Sequence, residues 1–130
     1  MRLVYCKLCR FADEFVGHGK TLVGLFDNIT SSGYPCPSPA LTVSLEIECE
    51  VAEAGRPMHI ELVFIDEDGG TLVNVGTTGH CPQPLGGWPG RLQLNIPFDG
   101  GMMTIPKAGT YRFDVLVNGV HLGYERLLFL

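Results

Sequence analysis

Residues 106–130 decide the fold class, and they read PKAGTYRFDVLVNGVHLGYERLLFL. Large apolar residues recur at every second position on both sides of Asn118-Gly119, a period that is typical of strands with one buried face. Asn and Gly tolerate positive φ angles, as both central residues of a type I′ turn must. The stretch therefore predicts an antiparallel β-hairpin with its large side chains on one face. The predicted pairs are Val117 with Val120, Val115 with Leu122 and Phe113 with Tyr124, and a bulge is expected near Glu125.

Tyr111 stands two positions before the predicted inward-facing Phe113. This arrangement resembles the start of the F strand in an immunoglobulin-type sandwich, where a tyrosine hydroxyl bonds to the backbone of the preceding corner. Phe113 occupies the place of the second disulfide cysteine of an antibody domain, so the resemblance is architectural. It implies that the Tyr111 hydroxyl bonds to the backbone just upstream.

Six further stretches have strand character and are separated by turns that contain Gly or Pro. They comprise residues 2–11, 21–29, 41–51, 60–64, 72–75 and 92–96. No convincing helical period interrupts them, which favours an antiparallel fold over an alternating α/β one. The prediction is an all-β protein: a single antiparallel β-sandwich of about eight strands, immunoglobulin-like, over residues 1–130.

Composition and charge exclude some classes of protein. The chain has 130 residues, 45% hydrophobic content and a net charge of −5, with nine basic residues scattered along it. A scattered basic complement predicts no nucleic-acid partner, and no apolar run approaches the roughly 18 residues of a membrane span. Five cysteines, an odd number, together with no visible secretion signal predict free thiols in the cytoplasm.

A family resemblance begins at Leu8-Cys9 and continues through residues 19–29, GKTLVGLFDNI. These motifs resemble a family of small uncharacterised bacterial proteins that share an N-terminal Leu-Cys motif and a Gly-Lys…Gly-x-Phe-Asp motif. Gly109-x-Tyr111 and Asn118-Gly119 extend the resemblance over most of the chain. The family has no assigned activity, so the resemblance implies a stand-alone domain and supplies no catalytic residues.

Three patterns could carry chemistry, and each has a simpler interpretation. Residues 17–21, GHGKT, end like a phosphate-binding loop, but a strand follows where such a loop needs a helix. Cys6 and Cys9 have the spacing of half a zinc site, yet a strand turns residues three apart to opposite faces. The carboxylates of residues 66–68 could hold a cation, although an acidic turn explains them. We predict no cofactor and no metal, while a metal or redox role for Cys6, Cys9 and Cys81 stays open.

Loop position suggests where a partner or ligand binds. If every connection reverses the chain, then residues 12–20, the turn at Gly55, residues 77–90 and the Asn118-Gly119 turn share one end. Residues 77–90 exceed the usual length of a hairpin loop, although a tryptophan there is more often an anchor for its own loop. We predict a non-catalytic binding module with His18, His80 and Trp88 as its ligand- or partner-binding residues. The alternative is a metal-dependent or thiol-dependent enzyme with a site near His18, His80 and Cys81.

Four apolar residues fall on the outward phase of predicted strands. They are Val63, Ile65, Leu116 and Leu128. This is more exposed apolar surface than one sheet face of a monomer usually carries. It predicts either a covering loop or a homodimer through that face.

Overall fold

The protein is described by a computed structural model that covers residues 1–15 and 19–130, with side chains for residues 1–13 and 21–130. It is all-β, as predicted, and the described residues form eleven strands, three of them only two residues long. The strands are Arg2–Phe15 (β1), Gly19–Leu25 (β2), Asn28–Ile29 (β3), Cys36–Pro37 (β4), Leu41–Cys49 (β5), Pro57–Ile65 (β6), Thr71–His80 (β7), Gly90–Phe98 (β8), Thr104–Ile105 (β9), Gly109–Val117 (β10) and Val120–Phe129 (β11). The helical content of the described residues is one short 3₁₀ turn, Val51–Glu53, and no described helix is long and apolar enough to cross a membrane.

The strands form two main sheets and one small one. The first sheet has the order β2-β1-β5-β8, the second has the order β3-β11-β10-β6-β7, and β4 pairs with β9. All pairings are antiparallel except that of β3 with β11. Short turns and long antiparallel pairings follow from the Gly- and Pro-rich punctuation of the sequence.

One hydrophobic core joins the two main sheets. Alternate residues of β5 in the first sheet and of β6 and β10 in the second are buried in the same cluster. The Phe113 ring of β10 lies 4.5 Å from that of Phe64 and 5.5 Å from that of Phe98, centroid to centroid. Because Phe98 belongs to β8, this aromatic contact crosses from one sheet to the other.

The final hairpin confirms the predicted turn and corrects the predicted register. Asn118 and Gly119 have φ angles of +50° and +80°, and Val117 pairs with Val120. The register then shifts, so that Val115 pairs with Gly123 and Phe113 with Glu125. Leu122 is the additional residue of a bulge, which lies nearer the turn than expected. The bulge reverses the phase of β11, and it is the reason that Leu127 and Phe129 are buried.

The Tyr111 hydroxyl donates a hydrogen bond to the Lys107 carbonyl oxygen at 2.7 Å. The ring itself is buried and stacks on Phe64 at a centroid distance of 5.5 Å. This confirms the bond that the resemblance to an immunoglobulin F strand implied.

The end of β1 and the start of β2 lie at the opposite end of the molecule from the Gly55 turn, residues 81–89 and the Asn118-Gly119 turn. β1 pairs with β5 from Arg2 to Cys9, but with β2 only from Cys9 to Phe15. β2 therefore never returns to the level at which β1 began, and β5 adjoins the first half of β1 whereas β2 adjoins the second half. We call the end with the Gly55 turn, residues 81–89 and the Asn118-Gly119 turn the loop end. The β1–β2 ribbon, residues 10–15 with residues 19–24, lies at the other end, so the expectation of one shared end was wrong for this connection.

Candidate functional site

The connection between β7 and β8 carries a two-residue turn of its own. Leu85 and Trp88 form an antiparallel bridge, and the Trp88 N–H donates to the Leu85 carbonyl oxygen at 2.9 Å. Gly86 and Gly87 between them have φ angles of +57° and +82°. Two positive φ angles are what a type I′ turn requires, and glycine adopts them without steric cost. We call residues 85–88 the Trp88 turn.

The Trp88 turn presents its two large side chains to solvent. Trp88 is 73% exposed and Leu85 is 78% exposed. Residues directly opposite on an antiparallel pair project from the same face, so the indole and the isobutyl group lie together. A shallow depression of about 450 Å³ adjoins them, and its wall includes Gln83 and Arg91. Trp88 is thus not a buried anchor for its own loop.

The base of the same loop is fixed to the body. Cys81 is buried, its N–H donates to the Arg56 carbonyl oxygen, and its carbonyl oxygen accepts from the Gly55 N–H, both at 2.9 Å. At the other end of the loop, Gly90 pairs with Cys49 and is packed so closely that a Cβ atom there would overlap the Pro82 carbonyl oxygen. The loop therefore holds an exposed tip on a constrained base.

His80 and Cys81 differ in their surroundings. His80 is exposed at the end of β7, whereas Cys81 is 2% exposed and faces the core. Burial raises the pKa of the Cys49 thiol, which hydrogen-bonds with Cys81, to about 12, and it raises that of Cys6 likewise to about 12. Such thiols are poor nucleophiles at neutral pH because the thiolate is the reactive form.

The described residues hold no group of three or more His, Cys, Asp or Glu side chains that could bind a metal ion. All five cysteines are free, as the odd count predicted. His18 lies outside the described residues. His80 and Trp88 both belong to the loop end.

The sequence reasoning missed a cluster on the outer face of the second sheet. Asp114 is only 8% exposed, and its Oδ1 atom accepts from Arg112 Nε at 3.0 Å and lies 3.2 Å from His121 Nε2. The Arg112 and Arg126 guanidinium groups lie over the Tyr124 ring at 5.2 Å and 5.6 Å from its centroid. We call these five residues the arginine–tyrosine cluster.

The bulge explains why this cluster was missed. An unbroken alternation assigns Tyr124 to the inner face opposite Phe113, but the extra residue places it opposite Asp114 on the outer face. Charge-assisted hydrogen bonds and cation–π contacts there keep the side chains in place. Of the four apolar residues on the predicted outward phase, Ile65 is buried and lines a depression with Arg112 and Arg126, Val63 and Leu116 are half-buried, and Leu128 is 38% exposed.

The protein is thus all-β, and the most exposed large apolar side chains among those that the structure describes, Leu85 and Trp88, lie on a tight turn. The chain belongs to DUF6941, a family of unknown function, whose model matches residues 4–128. This match confirms the expected membership of a family with no assigned activity. Comparison with curated proteins found no match.

Proposed function

We propose that this protein is a non-catalytic binding module that engages a protein partner through the Trp88 turn. The observation that carries the proposal is the pair of exposed apolar side chains on one face of a tight turn, Trp88 at 73% and Leu85 at 78% exposure. Tryptophan is enriched among the few residues that dominate binding energy at interfaces. A partner pocket that accepts the indole would bury most of its large apolar surface.

The rigidity of the turn supports the proposal. Pro82, Pro84 and Pro89 restrict the backbone on both sides of the turn, and the buried Cys81 fixes its base through two backbone hydrogen bonds. A preorganised surface loses little conformational entropy when it binds, so more of its contact energy appears as affinity. His80 lies at the start of the same loop and joins the proposed contact surface as a polar neighbour.

We also propose a fold type and a cellular compartment for the protein that carries this site. We infer an immunoglobulin-like sandwich, supported by the shared core of the two sheets and by the Tyr111 hydrogen bond. Loops at one end of such a domain commonly carry its function. The five free thiols suit a reducing compartment such as a bacterial cytoplasm.

Quantitative affinity purification with three immobilised forms tests the proposal. The forms are the wild type, Trp88→Ala, and Tyr124→Ala as an aromatic control from the arginine–tyrosine cluster, where Tyr124 is 44% exposed. A partner that binds the Trp88 turn should be retained by the wild type and by Tyr124→Ala. Its affinity for Trp88→Ala should fall at least tenfold, since interface hot spots contribute about 2 kcal/mol or more.

Stability measurements separate binding from folding. Trp88→Ala removes an exposed side chain, so the free energy of unfolding should change by less than about 0.5 kcal/mol. If every partner stays bound to Trp88→Ala, the proposal fails. A large loss of stability in that variant would instead assign Trp88 a structural role.

A further inference from the structure

The sheet edges of this molecule differ in how well they are protected against pairing. Among the described strands, β8 carries Arg91 and Pro97, and both a charge and a proline oppose addition of another strand. β3 has two residues only, and β7 is dominated by Thr, Gly and Asn. β2 has no proline, and it has no charged residue between Thr21 and Leu25, where Gly24 has a φ angle of +70°.

Within the described chain, β2 has β1 as its only sheet neighbour, so its second edge exposes unpaired N–H and C=O groups. β2 also bears apolar side chains that are exposed on one face of the ribbon. Val23 is 51% exposed and lies directly opposite Phe11, which is 55% exposed, and Leu25, two residues further along β2, is 60% exposed. The edge therefore combines backbone hydrogen-bonding groups that have no partner strand among the described residues with exposed apolar side chains.

The ribbon has little support from the body of the domain. β5 pairs with β1 no further than Cys9, so beyond that residue β1 has β2 as its only described partner. A two-stranded ribbon alone is marginally stable in water, and a third strand is what normally stabilises it. An additional strand paired with β2 would therefore stabilise the ribbon.

We propose that the β2 edge is a homodimerisation surface, on which the β2 strand of a second copy pairs antiparallel about a two-fold axis. Such pairing joins the four-stranded sheets of the two copies into one continuous eight-stranded sheet. An antiparallel two-fold contact is self-complementary, because each residue meets its symmetry partner in the same environment. It also brings the two Phe11–Val23 pairs onto one face.

The charge pattern of β2 is compatible with a second copy as the occupant. The chain has a net charge of −5, so two copies associate best through a segment without like charges. Lys20 is the only charged residue of β2. Two-fold registers centred on Thr21, Leu22 or Val23 place it opposite Leu22, Gly24 or Phe26, all uncharged. No like-charged pair therefore faces across the axis in these registers.

Molar mass in solution tests this interface. Light scattering after size-exclusion chromatography at tens of micromolar should give twice 14.2 kDa for the wild type. Val23→Lys places a charge at the centre of the edge, as natural edge strands do, and should weaken the dimer at least tenfold. Val120→Lys is the matched control, because Val120 is 61% exposed at the loop end. That variant should stay dimeric, with unchanged circular dichroism in both variants.

Hydrogen exchange gives a second measurement that does not depend on a folded variant. Amides of residues 21–25 should be protected in the concentrated wild type and lose protection on dilution to the monomer, because pairing occupies the outward N–H groups. A wild type that is monomeric at tens of micromolar would overturn the proposal. A Val23→Lys variant that remains fully dimeric would also overturn it, and would direct attention to the face with Val63 and Leu116.

Discussion

Two turns of the same backbone type lie at the loop end, and they differ in what holds them. The Asn118-Gly119 turn is bonded to β6, since Asn118 Oδ1 accepts from the His59 N–H at 2.8 Å and its Nδ2 atom donates to the Pro57 carbonyl oxygen at 3.2 Å. The Gly86-Gly87 turn has no side chain that could do this. Its flanking residues, Leu85 and Trp88, point to solvent instead.

The contrast shows how one element of backbone geometry serves two purposes. In the first turn an asparagine supplies both the positive φ angle and two hydrogen bonds, so the turn closes a buried hairpin. In the second turn two glycines supply the φ angles, and the flanking residues are free to carry large exposed side chains. We therefore expect substitutions to divide the loop end into structural positions and contact positions.

The largest effect is expected at the base of the Trp88 loop. Gly90→Ala would drive a methyl group into the Pro82 carbonyl oxygen, a backbone atom that cannot rotate away. The expected cost is about 2–3 kcal/mol in the free energy of unfolding, as for other overpacked sites. Chemical denaturation measures it, with Gly79→Ala as the control, because the nearest atom to a Cβ there is a Leu92 methyl group at 3.9 Å. Equal stability of the two variants would contradict a constrained base.

Asn118 should follow in the ranking. Asn118→Ala removes two side-chain hydrogen bonds and places alanine at a φ of +50°, and we expect a loss of about 2 kcal/mol. Asn118→Gly relieves the backbone conformation but lacks the hydrogen bonds, so it should recover about half of that loss. Thermal unfolding of the two variants separates the contributions. If both variants unfold at the same temperature as the wild type, the side-chain hydrogen bonds that distinguish the Asn118-Gly119 turn do not contribute to stability.

Sequence alone predicted the elements more securely than their registers. The Asn118-Gly119 turn and the Tyr111 hydrogen bond were predictable because each depends on a local requirement, either a positive φ angle or a nearby backbone acceptor. The bulge at Leu122 was misplaced because several positions of one extra residue satisfy the same apolar pattern, and packing against the other sheet decides among them. Because of that one-residue error, Tyr124 was assigned to the inner face, and the arginine–tyrosine cluster was not predicted.

The length and composition of residues 77–90 pointed to Trp88, since long loops rarely lack a purpose, but β7 continues to His80 and the segment between the strands is residues 81–89. The grouping of this loop with His18 stays a prediction, because His18 lies outside the described residues. The described ends of β1 and β2 were misplaced because β2 pairs with only half of β1, and strand length is a tertiary outcome that alternation cannot specify. Glu46 is only 6% exposed, because Arg91 and Gln93 of the neighbouring β8 cover it.

The smallest effect concerns a third connection at the loop end, Val51–Glu53, which is held by charge. Glu53 Oε1 accepts from the Glu50 N–H at 2.9 Å and lies 2.9 Å from the Met1 amino group. The Glu50 hydrogen bond, followed by the amino group, lowers the pKa of Glu53 below its ordinary value of 4.5. The hydrogen bond with Glu53 raises the pKa of the Met1 amino group above 8.0.

The direction of each pKa shift determines the pH range in which the contact between Glu53 and the Met1 amino group stabilises the fold. A lowered carboxyl pKa stabilises the fold above 4.5, and the benefit is lost as pH falls through the folded-state pKa. A raised amine pKa stabilises the fold below 8.0, and the benefit is lost as pH rises through the folded-state pKa. The difference in unfolding midpoint between the wild type and Glu53→Gln should therefore be flat between 4.5 and 8.0 and shrink on both sides. A difference that stays constant well outside this window would show that packing, rather than charge, holds the third connection.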